Sequence, residues 1–548
     1  MSQISWDYTG DVVVVGSGAA AFSAAITARV HGANVIMVEK GTSYGGTTIR
    51  SGGGFWIPNN RFQKQSGIED KKEDALRYMA RYSFPQLYNP QDARLGLPEN
   101  EYNLIETYYD TASRMMDFMW DNGAIKSMME INWTGKPQVD YMDHLPENKG
   151  VRGRVCYSMG ENGKQGYGGE LVRQIKGWAD AHTIPLLLGH RVTRILRGGT
   201  GAVTGVETTT ADNKKVNFRA DKAVVFGSGG FTHNRDIMLH FQRGPHFGGC
   251  AAPTNTGDFV LMASAIGAEL GNMAGAFRAE LVLEQALSDP SGSHNVFYIM
   301  GDSILEVNRY GLRYGDEKRN YTDRTMTHFI WDPLRAEWAN MLTFMIYDQR
   351  TAHLWQGFPP LPPQGFAAPY VISGATLDEL AQNIRARLAS LAPWTGGFSI
   401  DENFAAGLKK TVARFNGFAA SGVDAEFHRG EFNYDREWTT FPPSAPGVKW
   451  PPEGSKNYTM YPLSQSGPYY AVILAPGTLD TNGGPLINHK AQVLDTAGKP
   501  IPGLYGAGNC IASPTANAYW GGGSTLGPAL TYGHIAGINA AGETIKTE

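Results

Sequence analysis

Six residues near the amino terminus, Gly16-Ser17-Gly18-Ala19-Ala20-Ala21, have the types and spacing that hold a dinucleotide. In a G-x-G-x-x-A pattern the first glycine makes a tight turn and the second lets a pyrophosphate approach the backbone. The small third residue lets a helix pack closely on a strand. The phosphates then sit where the unpaired N–H groups of the helix start point outward. Glu39 follows Gly16 by 23 residues, near the spacing of about 20 at which an acidic side chain accepts a ribose hydroxyl. A carboxylate there disfavours a 2′-phosphate. Two more glycine runs come directly after it, Gly45-Gly46-Thr47-Thr48 and Ser51-Gly52-Gly53-Gly54. NAD alone does not require this second stretch of bare backbone. A flat, buried isoalloxazine ring does, so these residues predict FAD.

The fingerprint needs a strand, a helix and a second strand in that order. Val12–Val15 is a continuous β-branched run of the kind found in a strand covered on both faces. Ala19–Val30 is alanine-rich and suits a helix, and Asn34–Val38 supplies the next strand. Strand-like runs recur at Pro185–Leu188 and Lys222–Phe226, the latter closing in Gly227-Ser228-Gly229-Gly230. A doubly wound parallel α/β sheet accounts for this order. From about Ala279 to Leu479 the texture changes to Trp, Tyr, Pro and mixed charge, with a loop at Phe358–Gly365 and helix-like stretches at Thr376–Leu391 and Phe404–Gly417. The chain then returns to glycine-rich turns and a small-residue helix over about Gly527–Ile545. The predicted division is an FAD-binding domain built from residues 1–280 and 480–548, with a catalytic cap domain, 281–479, inserted between them.

At 548 residues and 42% hydrophobic content, the chain is long enough for a large core. Its formal charge of −4 and scattered Lys and Arg give no basic footprint, which argues against nucleic acid as a partner. No apolar run approaches the length of a transmembrane helix and no secretory signal pattern opens the chain, so a cytoplasmic protein is expected. Cys156, Cys250 and Cys510 form no CxxC pair and no disulfide framework. Cys510 follows a Gly-Asn turn near the expected cofactor. His233, His240 and His246 are spaced about 10 Å apart along a helix, too far to share one metal ion, and no metal is expected.

With these residues in hand, the chain resembles the succinate dehydrogenase and fumarate reductase flavoprotein superfamily, and within it the Δ1-type 3-ketosteroid dehydrogenases. The likeness runs through "VVVVGSGAAAFSAAITA", "GGTTIRSGGGFWIPNN", "GSGGFTHN", "NTGDFVLMASAIGAELGNM", "VNRYGLRYGDE" and "GLYGAGNC…AYWGGGSTLGPALTYGHIAG". It implies a Rossmann-like FAD-binding domain made from both chain ends, an inserted α+β catalytic cap, and non-covalent FAD. Carried onto this chain, the cofactor contacts are Gly16, Gly18, Ala19, Ala20, Glu39, Lys40, Gly46, Thr47, Thr48, Ser51, Gly52, Gly53, Val192, Gly229, Gly230, Asn255, Asp258, Gly508, Asn509, Ser524 and Leu526.

The same resemblance implies an active site of tyrosines. "VDYMDH" offers Tyr141, "GLRYGDEKRNY" places Tyr321 at the family's base position, and "YWGGG" offers the Tyr519 hydroxyl and the Gly523 N–H for the ketone. Asn320 and Trp520 stand where the family usually has Pro, which bears on substrate more than on chemistry. Gly521, where the related Δ4-enzymes carry Ser, favours the Δ1 type. The implied reaction is α,β-desaturation of a cyclic ketone. Tyr321, aided by Tyr141, removes the α-proton, Tyr519 and Gly523 hold the developing enolate, and hydride passes from the β-carbon to flavin N5. The substrate expected is a 3-ketosteroid, or alternatively a small ring such as a cyclohexanone, with Trp520 shortening the pocket. The electron acceptor is left unspecified. A fumarate-reductase-like alternative would need cationic clamps, for which Arg324 and His328 stand in the cap. If the flavin is held without a covalent link, acid denaturation of the yellow protein will release all the flavin absorbance to the supernatant. Colour retained on the precipitate would contradict it.

Overall fold

The computed structural model describes residues 4–546. Its first strand, Tyr8–Val15, lies parallel between Val35–Val38 and Lys215–Phe226. The four valines Val12–Val15 are buried, which is why this strand reads as an unbroken apolar run. Leu186–Leu187 extends the parallel sheet on one side; on the other, Pro500–Gly506 pairs with Val224–Phe226, and antiparallel Gln492–Leu494 follows. Two antiparallel strands, Arg191–Arg197 and Val203–Thr209, bring the sheet to eight. The carboxyl-terminal segment therefore completes the amino-terminal sheet. Its helix, Leu526–Gly542, packs against the helix Ala19–Val30 so closely that Gly533 and Gly537 lie on the Ala20 and Ala24 carbonyls. Ser23 Oγ donates to Leu530 O at 2.6 Å, and Thr27 Oγ1 pairs with His534 Nδ1 at 2.9 Å. Small residues were required at this crossing.

A second, antiparallel sheet of five strands contains Ala276–Val282, Ile304–Val307, Thr343–Asp348, Val371–Gly374 and the 13-residue Tyr469–Thr481. The long strand is its spine, pairing with three of the others. Helices Leu377–Thr395 and Phe404–Ser421 pack on it through Leu380, Ile384, Leu388, Phe404 and Leu408. Both helices outrun the sequence expectation and stop where Gly396 and Gly422 take left-handed conformations. The spine also meets the first sheet. Asp480 accepts from Gly230 N at 2.9 Å and from Asn255 Nδ2 at 2.7 Å, and Thr481 Oγ1 accepts from Phe231 N at 2.7 Å. The end of one sheet is thus tied to the glycine turn that leaves the other.

A small third sheet, Gly54–Trp56, Ser127–Met129 and Val155–Ser158, lies beside the same junction. Arg154, fully buried, precedes its last strand and bonds two buried carboxylates. Its Nε and Nη2 reach Asp70 at 2.8 and 2.7 Å, and its Nη1 reaches Asp140. Asp140 further accepts from Trp56 Nε1 at 2.7 Å and Asn148 Nδ2 at 2.8 Å. Burial raises the Asp70 carboxyl, but the guanidinium outweighs it and holds the group below the ordinary range. Removing the cation would strand both carboxylates in the core. An Arg154→Met substitution is therefore expected to cost about 3–5 kcal/mol, seen as a lower denaturant midpoint; an unchanged midpoint would show that the cluster is not a stabilising one.

Candidate active site

The turns at the carboxyl ends of the parallel strands line one continuous cleft, which passes on to the second sheet. Gly16 ends the first strand with φ +103°, and a Cβ there would fall 2.5 Å from the Gly227 carbonyl oxygen, so only glycine closes this turn. The helix that follows has Gly18 at its N-cap and so no cap from its own N-cap side chain; Thr48 Oγ1 takes the Ala19 N–H, and the other N–H groups of the first turn are left for a ligand. Glu39 lies at the end of Val35–Val38. Its carboxylate is aimed by bonds from Ser17 Oγ and Gly41 N, both 2.7 Å. Thr48 Oγ1 accepts from Ala19 N at 2.9 Å, and Thr47 Oγ1 accepts from Ala252 N at 2.9 Å. Lys40 and Asp258 form an ion pair at 2.9 Å. A side chain on Gly52 would meet nothing within 4 Å, so the bare backbone there opens onto free space rather than onto other parts of the protein.

Of the residues predicted to hold the cofactor, Gly16, Gly18, Ala19, Ala20, Glu39, Lys40, Gly46, Thr47, Thr48, Ser51, Gly52, Gly53, Val192, Gly229, Asn255, Asp258, Gly508, Asn509 and Leu526 line this cleft together. Two do not. Gly230 lies against Asp480 and Thr481, and the Ser524 hydroxyl closes on the Gly521 N–H and carbonyl. An elongated cradle with a glycine turn and helix start at one end and open glycine backbone in its middle fits FAD. Gly16, Gly18, Ala19 and Ala20 would take its pyrophosphate, Glu39 its ribose, and the Ser51–Gly53 backbone its ring.

Tyr141, Tyr321 and Tyr519 converge at the other end of the cleft. Each comes from a different part of the chain. Tyr141 follows Asp140, the carboxylate held by Arg154, and its N–H bonds the Trp520 carbonyl at 3.2 Å. Tyr321 opens the helix Tyr321–Met326, which Asn320 caps by accepting from Asp323 N at 3.0 Å. Asn at the position where Pro is usual thus supplies the cap. Tyr519 precedes the Gly521–Gly523 turn. Gly523 adopts φ +90°, and a Cβ there would lie 2.4 Å from the Gly54–Phe55 backbone. Its carbonyl accepts from Trp56 N at 3.1 Å and Gly527 N at 2.9 Å.

The Tyr141 hydroxyl donates to the Tyr321 oxygen at 2.8 Å. Tyr519 stacks on Tyr141 at 5.3 Å between ring centres and meets Tyr321 edge-on at 5.6 Å. Burial raises all three phenols, Tyr141 and Tyr321 well above the ordinary range. For Tyr321 the hydrogen bond from Tyr141 opposes that rise; for Tyr519 the Thr525 hydroxyl, donating at 3.3 Å, does. The walls around them are Tyr157, Phe297, Tyr298 and Trp438, none of which motif reasoning found. Tyr157 lies on the strand Val155–Ser158, Phe297 and Tyr298 are adjacent in one loop, and Trp438 ends the π-helical turn Tyr434–Trp438, so no common spacing links them. Cys250 also lines the cleft, its thiol pushed by burial up to about 12.

Several sequence expectations are redirected. Trp520 does not shorten the pocket: it is fully buried in the core, bonded through Nε1 to Ser83 Oγ at 2.8 Å and packed on Trp56 and Tyr108. Arg324 and His328 are not free clamps, because both bond the buried Glu280, at 2.6 and 3.2 Å. The Cys510 thiol faces the Phe226 and Ala507 carbonyls instead of the cleft.

Comparison with known proteins identifies the family. The family described as "FAD binding domain" matches residues 11–526. The chain is 31% identical to a 4-oxocyclohexanecarboxylate 2-dehydrogenase of Sinomonas cyclohexanicum, covering 98% of this chain and 93% of that protein. It is 29% identical to a 3-oxosteroid 1-dehydrogenase of Mycolicibacterium smegmatis, covering 97% of each. Among solved structures, the 3-ketosteroid Δ1-dehydrogenase of Sterolibacterium denitrificans, in complex with 1,4-androstadiene-3,17-dione, superimposes with a TM-score of 0.80 at 25% identity, over 97% of this chain and 99% of that one. The chain belongs to the FAD-binding-domain family of flavoprotein oxidoreductases, in the branch that includes these ketone dehydrogenases.

Proposed function

We propose that this flavoenzyme introduces a double bond next to the carbonyl of a cyclic ketone, with Tyr321 as base, Tyr141 as its hydrogen-bond donor, and Tyr519 with the Gly523 N–H as the oxyanion site. The observation that carries this reading is the 2.8 Å bond from Tyr141 to Tyr321, formed beside Tyr519 in the cleft that the cofactor-type turns line. A ketone oxygen between the Tyr519 hydroxyl and the Gly523 N–H gains both donors as enolate charge grows on it. The α-proton then passes to the Tyr321 oxygen, whose negative charge the Tyr141 O–H stabilises. FAD, when bound, supplies the two-electron acceptor that takes the hydride from the β-carbon.

The relatives are named for a 3-oxosteroid and for a 4-oxocyclohexanecarboxylate, both ring ketones. A 3-ketosteroid, desaturated at the Δ1 position, and a smaller cyclohexanone-type ring are the two substrate classes to assay with a dye acceptor. A fumarate-reductase-like activity is disfavoured, since Arg324 and His328 are committed to Glu280. On this reading the parallel-sheet part, from both chain ends, is the FAD-binding domain and the antiparallel part the catalytic one. Among the described residues no helix is long and apolar enough to cross a membrane, in keeping with a cytoplasmic enzyme.

A Tyr321→Phe variant is expected to keep its full flavin content and to lose ketone-dependent bleaching of the flavin band by at least 100-fold. Bleaching at the wild-type rate would refute the base assignment. Tyr141→Phe is expected to be gentler. It removes a bond that favours the phenolate, so the Tyr321 pKa rises and the alkaline rise of kcat moves to higher pH, with activity near pH 8 falling about tenfold or more. A pH profile that keeps its position would show that Tyr141 does not tune the base.

A further inference from the structure

Tyr141 is gripped at both ends of its own main chain. Its N–H bonds the Trp520 carbonyl at 3.2 Å, next to Tyr519, and its carbonyl accepts from Arg319 Nη2 at 2.6 Å. Among the described residues no other donor reaches that carbonyl. Arg319 stands two positions before Tyr321. One tyrosine backbone is therefore bonded on one side to the motif that carries Tyr519 and on the other to the segment that carries Tyr321.

The two terminal nitrogens of Arg319 serve different elements. Nη2 holds the Tyr141 carbonyl, while Nη1 pairs at 2.7 Å with the fully buried Asp435 of the π-helical turn Tyr434–Trp438. The guanidinium lies 5.2 Å from the centre of the Tyr434 ring, and that ring meets Tyr141 edge-on at 5.1 Å. The main chain of Arg319 in turn belongs to Tyr321. Its carbonyl accepts at 3.1 Å from Nη1 of Arg324, on the helix that Tyr321 opens, and Arg324 is locked to Glu280 at 2.6 Å and to the Val296 carbonyl at 3.0 Å. A rigid segment thus reaches across to hold the peptide of the neighbouring phenol.

The groups facing Arg319 keep it charged and in place. Its side chain is only 14% exposed, and burial disfavours the cation, but Asp435, Asp316 and Asp143 outweigh that and hold it above its ordinary range. Asp143 lies 3.8 Å away, and burial raises its carboxyl to about 6. Nη2 also reaches His144 Nδ1 at 3.0 Å. Burial, and after it the Arg319 charge, lowers that imidazole to about 4, so it is neutral and accepts the bond. Both Asp143 and His144 therefore titrate below the range in which a phenol ionises.

Resting on the proposed role of Tyr321 as base, we infer that Arg319 is a positioning residue for the reaction. Its two-ended grip fixes the main chain of Tyr141 relative to Tyr321 and so sets the 2.8 Å bond between their hydroxyls. Lysine does not substitute for it, because a single ammonium nitrogen does not reproduce a planar fork. The test places 3,5-difluorotyrosine, a more acidic phenol, at position 321 of the holoenzyme and follows its ionisation by 19F NMR. In Arg319→Lys this phenol is expected to be an about tenfold weaker acid, as it is in Tyr141→Phe. Combining the two substitutions is expected to add less than about twofold, whereas effects of independent origin would add in full.

With a ring ketone that bleaches the wild-type flavin, Arg319→Lys is expected to lower kcat near pH 8 about tenfold and to leave KM within about twofold, since Tyr519 and Gly523 are untouched. Arg319→Gln, which keeps a donor without the charge, is the second variant and is expected to weaken the phenol in the same direction. An ionisation that does not move in either variant, or full additivity with Tyr141→Phe, overturns the inference. If neither variant can be obtained with flavin bound, Arg319 is a structural residue and the inference falls as well. An ionisation that responds as expected in a protein that oxidises no ketone removes the desaturation reading and leaves the positioning of the two phenols standing. Turnover that depends on Tyr321 while the ionisation stays fixed does the reverse.

Discussion

A phenol enclosed by other aromatic rings does not ionise readily, and the tyrosine end of this cleft is built around that constraint. Burial lifts Tyr141, Tyr321 and Tyr519 together, so none of them is a base by composition. What distinguishes Tyr321 is the hydroxyl of Tyr141 donating to it at 2.8 Å. The surrounding structure holds those two oxygens in place. Tyr141 is held by the Trp520 carbonyl and by the Asp140–Arg154–Asp70 cluster beside it. Tyr321 is held by the Asn320 cap and by Thr325 Oγ1, which bonds its carbonyl at 2.6 Å.

The two sheets serve the same end. The parallel sheet collects its turns at one edge, where ligands of open α/β sheets bind, while the spine strand Tyr469–Thr481 delivers Asp480 into that edge. Phe277, on the neighbouring strand of the second sheet, meets Tyr519 edge-on at 5.3 Å. The cofactor-type turns and the three tyrosines thereby share one cavity, although their residues are separated by hundreds of positions in the chain.

How much of this was legible in the sequence depended on how local the cause was. The helix Ala19–Val30 could be read to its end residues, because small side chains and the glycine turn before it act within a few positions. Most of the residues expected at the cofactor lie along one cleft for the same local reason. Gly230 and Ser524 differ because they serve the turns on which the site is built. The antiparallel sheet was hidden, since its strands are partners only across separations of up to about two hundred residues. Trp520 misled: a large aromatic beside the ketone motif suggests a pocket wall, yet its direction is set by Ser83, Trp56 and Tyr108, which no local pattern announces. The true wall residue, Trp438, sits in a turn shaped by charges on Arg152 and Arg319 far away in sequence.

The most direct test of the central claim separates proton removal from hydride removal. With the flavin already reduced, hydride cannot leave the substrate, but a working base can still exchange the α-hydrogen of a bound ring ketone with solvent. In D2O, the wild-type enzyme should label the α-carbon at a rate well above buffer alone, and Tyr321→Phe should not. Equal labelling by the two proteins would mean that some other group takes the proton.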